Sequence, residues 1–188
     1  MDIEKIVQVV GYVLKKNDGR LNYTKLIKLL YLADKESYKA INHSITGDRY
    51  VAMPNGPVLS RLYDLIKDRD SDAMSQCFWN GRFSRDGYDL ILLSDKIPEG
   101  KLSRFEKKVL DDIEAKFHNN SFREMICFVH NPENCPEWHN PGNTSKIITE
   151  ENILTSLGRT PQEISTILEE SAVYKKEEEL LDKLSSEI

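Results

Sequence analysis

The run Leu26-Ile27-Lys28-Leu29-Leu30-Tyr31-Leu32-Ala33 constrains the fold of this chain more than any other segment. Leu26, Leu29, Leu30 and Ala33 share one helical face, while Ile27, Tyr31 and Leu32 fall on the others. In a soluble protein, a helix apolar around most of its girth has to be enclosed by other elements. The segment is therefore expected to be the hub of the core. Asn22 stands where its cap is needed, and Leu21 and Leu26 occupy the positions of a hydrophobic staple.

Spacing predicts the elements around the hub. Ile3, Ile6, Val7, Val10 and Leu14 recur at helical intervals before the stop signal Asn17-Asp18-Gly19, giving an opening amphipathic helix covered by the hub. Arg49-Tyr50-Val51-Ala52-Met53 reads as a short strand ended by Pro54-Asn55-Gly56-Pro57. Gly56 then suits a helix cap, Pro57 a first turn, and Val58, Leu59, Leu62, Tyr63 and Ile66 a buried stripe. Residues 67–75 are polar, and the turn signals Asn80-Gly81 and Asp86-Gly87 beside Tyr88 to Leu93 predict a β-hairpin.

Capping boxes at Ser103 with Glu106 and at Ser121 with Glu124 open two more helices. Prolines and asparagines from His130 to Gly142 mark an irregular loop, Thr149 starts a short helix, and Thr160-Pro161-Gln162-Glu163 opens a last one. Its charged end from Lys175 keeps an apolar edge, Leu180, Leu181, Leu184 and Ile188, that could fold onto the body, pair with a copy or meet a partner. The expected fold is α+β: a mainly helical domain over residues 1–142 with a small antiparallel sheet, made of a hairpin and one short strand. A helical acidic C-terminal extension follows over 143–188.

Charge placement narrows the function classes. The net charge is −5, yet the stretch from Gln162 carries eight acids and three lysines, which leaves 23 of each sign before it. A neutral body with an acidic end lacks the basic footprint of a nucleic-acid binder. The basic cluster Lys15, Lys16, Arg20, Lys25 and Lys28 reads as solvated surface. No stretch approaches the run of about 18 apolar residues that a membrane span needs, and Met1-Asp2-Ile3-Glu4 lacks the basic start of a secretory signal. Three cysteines, Cys77, Cys127 and Cys135, are too few and odd in number for a disulfide framework. Together these features predict a cytoplasmic chain with free thiols and no membrane partner.

Two kinds of chemistry are conceivable. Asp34, Glu36, Asp48 and Asp64 could supply paired acids, but carboxylates near helix ends and turns usually cap or decorate. Nucleophile elbows, phosphate loops and dinucleotide fingerprints are missing from the sequence, so catalysis is not expected. Cys127, His130, Cys135 and His139 have spacings that a tetrahedral zinc site could accept. Against zinc, Cys127 beside Ile126 and Val129 reads as a small core residue. Tyr31 and Tyr63 are read as core. Tyr38, Asp48, Tyr50 and Asn55, at a helix end, loop, edge-like strand and turn, are expected to be exposed recognition groups.

The segment from Lys25 to Glu36, with Ile45-Thr46-Gly47-Asp48-Arg49-Tyr50-Val51-Ala52-Met53-Pro54-Asn55-Gly56-Pro57-Val58, resembles the Panacea domain family, which includes SocA-like antitoxins. The resemblance spans roughly residues 5–140 and is densest from 25 to 66. Leu29, Leu30, Ala33, Gly47, Pro54, Gly56 and Pro57 form its framework. It implies an antitoxin that neutralises a cognate protein toxin by direct contact, without an active site or cofactor. Asp34, Tyr38, Asp48, Tyr50 and Asn55 are its candidate toxin-binding residues. The SocA branch implies an alternative, delivery of the toxin to a Clp-type protease. A homodimer and a zinc-stabilised module complete the readings, and the family resemblance carries no metal with it.

Overall fold

The computed structural model describes residues 2–94 and 96–186, with side chains beyond Val173 described only for Lys176 and Glu177. Helix α1 (Ile3–Lys15) is capped by the Asp2 carboxylate, which accepts from the Glu4 and Lys5 amides. A short strand β1 (Arg20–Asn22) leads into α2 (Tyr23–Ile41), where the Asn22 side chain accepts from the Thr24 and Lys25 amides. Asn42 ends α2 in the left-handed region, at φ 58°.

The chain continues through β2 (Tyr50–Met53), β3 (Gly56–Leu59), α3 (Ser60–Ile66), α4 (Ala73–Asn80), β4 (Phe83–Asp86) and β5 (Asp89–Leu92). Then come α5 (Arg104–Phe117), α6 (Phe122–His130), β6 (Lys146–Ile148), α7 (Glu150–Ser156) and α8 (Pro161–Ser186). Helix α2 is buried almost continuously from Tyr23 to Tyr38 and packs against α5, α6, α7 and β3. Its all-round apolar sequence is thus matched by all-round enclosure. Helix α1 lies against β1, β5 and α4, and its polar edge is tied to α5 by Tyr12 and Lys16 on Asp111 and by Lys5 on Glu106.

The β content forms two antiparallel sheets of three strands, in the orders β1-β5-β4 and β3-β2-β6. In the first, Leu21 faces Leu90 and Phe83 faces Leu92. In the second, Val51 faces Val58 on one side and Ile147 on the other. Each sheet is a hairpin plus one short strand, the pattern expected for a single sheet. Residues 146–148, which follow the expected domain's end at 142, supply the third strand of the second sheet.

Several local expectations are corrected. Gly56 and Pro57 do not open a helix: they belong to β3, because Pro54-Asn55 forms a two-residue hairpin turn and α3 waits until Ser60. Tyr50 sits on a central strand rather than an edge. Asn80-Gly81 closes α4, whose Trp79 is 2% exposed, instead of turning a hairpin. Lys25 and Lys28 are not solvated: the Lys25 ammonium donates to the His118 carbonyl at 2.6 Å, and Lys28 is 1% exposed.

The capping boxes at Ser103 and Ser121 form as expected, and Thr149 caps α7 with Asn152. Thr160 and Glu163 open α8, which rests on the body through buried Ile164 and Ile167. The side chains of Leu180, Leu181 and Leu184, and all of Ile188, lie outside the described residues. Among the described residues, no helix is long and apolar enough to cross a membrane.

Candidate partner-binding face

Asp34 is fully buried two turns before the end of α2 and organises the loop that follows. Its Oδ1 accepts from the Ile45 amide at 2.8 Å and the Thr46 amide at 2.9 Å. Its Oδ2 accepts from the Thr46 hydroxyl and from the Tyr50 hydroxyl, the latter at 2.9 Å. Burial pushes the Asp34 pKa up to about 6 against the pull of these donors. Tyr31 and Tyr38 pack edge-on against the Tyr50 ring, with centroids 5.6 and 6.5 Å away.

Asp48 does the same for the next element. Its Oδ1 accepts from the Arg49 amide at 2.6 Å and the Arg61 amide at 3.0 Å, and its Oδ2 from the Leu62 amide at 2.9 Å. Leu59 supplies no side-chain cap to α3, so a carboxylate reaching in from the loop satisfies the first-turn amides. Burial raises the Asp48 pKa and the three amides oppose that shift. Two acids, one on α2 and one on the loop after it, are thereby spent largely on the chain's own backbone.

The hairpin turn stands on this frame. Pro54 and Asn55 are exposed, whereas Gly56 and Pro57 are buried against α2 and α6. The Lys28 ammonium donates to the Pro57 carbonyl at 2.6 Å, and the Trp138 indole donates to the Met53 carbonyl at 3.1 Å. His130 stacks flat on Trp138 at 4.1 Å. Burial, then the neighbouring Lys28, lowers the His130 pKa, while a hydrogen bond with the Pro54 backbone raises it. Glu137 secures the loop behind, accepting from the Tyr31 hydroxyl at 2.5 Å and from the Lys35 ammonium at 2.7 Å. The result is a rigidly mounted two-residue tip.

Of the candidate recognition residues, Asn55 alone is exposed. Asp34, Tyr38, Asp48 and Tyr50 are 0%, 3%, 7% and 2% exposed, so the expectation of exposure fails for Tyr38, Asp48 and Tyr50, and the candidate Asp34 is equally closed to a partner. Each carries a polar group that the loop needs internally, a demand that turn and helix-end position alone does not reveal. Among the framework residues, Leu29, Leu30 and Ala33 are core, and Gly47 takes φ 62° in the loop. Spacing gave no sign of Lys28, Trp138 or Glu137 in this site; an unpaired lysine inside an apolar helical run was the one signal available for Lys28.

That lysine makes a prediction. Burial drops the Lys28 pKa from 10.5 to about 7, so the unfolded chain holds its proton up to a higher pH than the folded chain. Stability contributed by this group is present above pH 10.5 and is lost as pH falls toward 7. Lys28→Met should flatten the rise in stability between pH 7 and 10, measured by urea unfolding; an unchanged slope would contradict this burial.

The residues of the zinc reading are dispersed in character. Cys127 is exposed rather than a core thiol, because the buried face of α6 runs through Met125 and Val129. Cys135 is buried, with its thiol pKa pushed up to about 12 by burial, and His139 is exposed. Among the described residues, no three His, Cys, Asp or Glu side chains come together as a metal set. Glu36 is exposed beside Lys39, and burial raises the Asp64 pKa. Tyr31 is core and Tyr63 is half-buried.

No curated protein and no solved structure matches the chain. A family model does: the antitoxin SocA-like, Panacea domain, over residues 26–139. That span starts inside the hub helix, contains the Asp34 and Asp48 network and the mounted turn, and ends just past Trp138. Covering more than half of the 188 residues, the match shows that the chain belongs to the SocA-like, Panacea domain family of antitoxins.

Proposed function

We propose that this protein is the antitoxin of a toxin–antitoxin pair and neutralises a cognate protein toxin by binding it, through a face that includes the Pro54-Asn55 turn. The observation that carries this reading is the family match over residues 26–139. The turn supports it: an exposed tip fixed from below by Lys28, Trp138 and Gly56 has little freedom to lose on binding. Asn55 is the contact residue of the original five; Asp34, Tyr38, Asp48 and Tyr50 are positioning residues that shape the loop. Acids already saturated by their own backbone fit a scaffold better than acid–base chemistry. Residues 1–142 are assigned as the antitoxin domain and 143–188 as an extension that adds β6 to it.

The test is a titration of the purified product of the adjacent open reading frame into the chain. A saturable complex is expected, weakened about tenfold or more by Asn55→Arg at unchanged melting temperature. A wild-type chain that forms no complex would contradict the reading.

A further inference from the structure

The second sheet has an edge whose hydrogen-bonding groups can be worked out from its register. A two-residue turn closes on a pair that exchanges both backbone bonds, here Met53 with Gly56. Alternation then makes Val51 and Val58 a bonded pair and leaves Ala52 opposite Pro57 unbonded, the one place where proline's missing N–H does no harm. The Ser60 amide donating to the Arg49 carbonyl at 2.8 Å continues the pattern. Tyr50 and Ala52 therefore direct their amides and carbonyls to the other side, onto Ile148 and Lys146 of β6.

Ile147 stands opposite Val51 at the unbonded position, so its own N–H and C=O point outward from the sheet. Strand β6 is an edge in the order β3-β2-β6, and the Ile147 side chain is 77% exposed. Beside it runs an open cleft of about 530 Å³ whose walls include Ala52, Pro136, Glu137, Ile148, Glu151 and Asn152.

We propose that β6 accepts an extended peptide segment of the partner protein as an added strand, with the cleft receiving its side chains. This rests on the antitoxin reading and names where the partner docks. The free donor and acceptor of Ile147 call for backbone in β conformation, and the exposed Ile147 calls for a β-branched or aromatic residue opposite it. A second copy is the poorer occupant: it brings only its own three-residue edge, far short of the roughly 20–30 residues a side of a stable interface, whereas a longer segment of a partner also held at the Pro54-Asn55 turn extends past β6 into the cleft. Because β6 lies beyond residues 26–139, it can set partner choice without altering the shared domain.

Ile147→Pro deletes the outward N–H while sparing the bonds to β2, and proline is tolerated on sheet edges. Its melting temperature should stay within about 2 °C of wild type, while affinity for the adjacent gene's product falls about tenfold or more. The Ile147 amide of the wild type should exchange quickly in the free chain and about tenfold more slowly in the complex. A complex with unaltered exchange at Ile147 and full affinity in Ile147→Pro would overturn this docking mode and leave neutralisation standing. No complex with wild type would remove both. A free wild-type dimer that Ile147→Pro turns into a monomer would make a second copy the occupant and overturn the proposal.

Discussion

Gly56→Ala is expected to lower stability by about 3 kcal/mol or more. Gly56 holds φ at +101°, a region that L side chains rarely adopt, and forcing alanine there costs about 1–3 kcal/mol. The added Cβ would lie 2.6 Å from Val129 Cγ2 and 3.2 Å from Lys28 Cε. The lysine stem can shift, but Val129 is branched, 0% exposed and fixed on α6, so overpacking adds about 1–3 kcal/mol more. The two parts are separable. Placing Gly56→Ala in a Val129→Ala background should remove the collision and keep the backbone strain, so the double variant should lose less than the sum of the singles. A urea midpoint unmoved by Gly56→Ala would contradict the packing of the turn on α6.

Asp34→Ala should cost about 3 kcal/mol or more, because it strips the acceptor from two buried amides and two hydroxyls at once. The loop from Ser44 to Tyr50 should loosen, and amide exchange at Ile45 and Thr46 should accelerate. Asp34→Asn is the informative companion. Its carbonyl oxygen can still serve the two amides, while the Thr46 and Tyr50 hydroxyls can turn to accept from its nitrogen, so the loss should be smaller. It also removes a titration. With the folded pKa raised from 3.8 to about 6, the stability contributed by Asp34 is full below pH 3.8 and declines as pH rises through 6. Asp34→Asn should flatten that decline; a profile identical to wild type would show that the carboxylate does not titrate there.

The helical frame was readable because its signals are local. The opening stripe, the Asn22 cap, both serine capping boxes and the Thr160-Pro161 start each depend on residues within one or two turns, and each forms where expected. The hub helix was readable too, since a run from Leu26 to Ala33 that is apolar but for Lys28 has few outcomes other than enclosure. What was missed depends on partners far along the chain. Strands β1 and β6 are three residues long and exist because β5 and β2 offer open edges. Gly56 and Pro57 carry helix-start chemistry, but pairing with Met53 and Ala52 overrides it. Exposure was misjudged at Asp48 and Tyr50 for the same reason: the donors and acceptors that bury them lie on other segments. Asn55 kept its expected exposure because a two-residue turn has no room to hide its tip.

Neutralisation by binding shows first in growth. Cells expressing the adjacent open reading frame should stop growing, and co-expression of this chain should restore growth while the two proteins co-purify. Growth restored without a complex, or a harmless neighbour, would rule out neutralisation by binding.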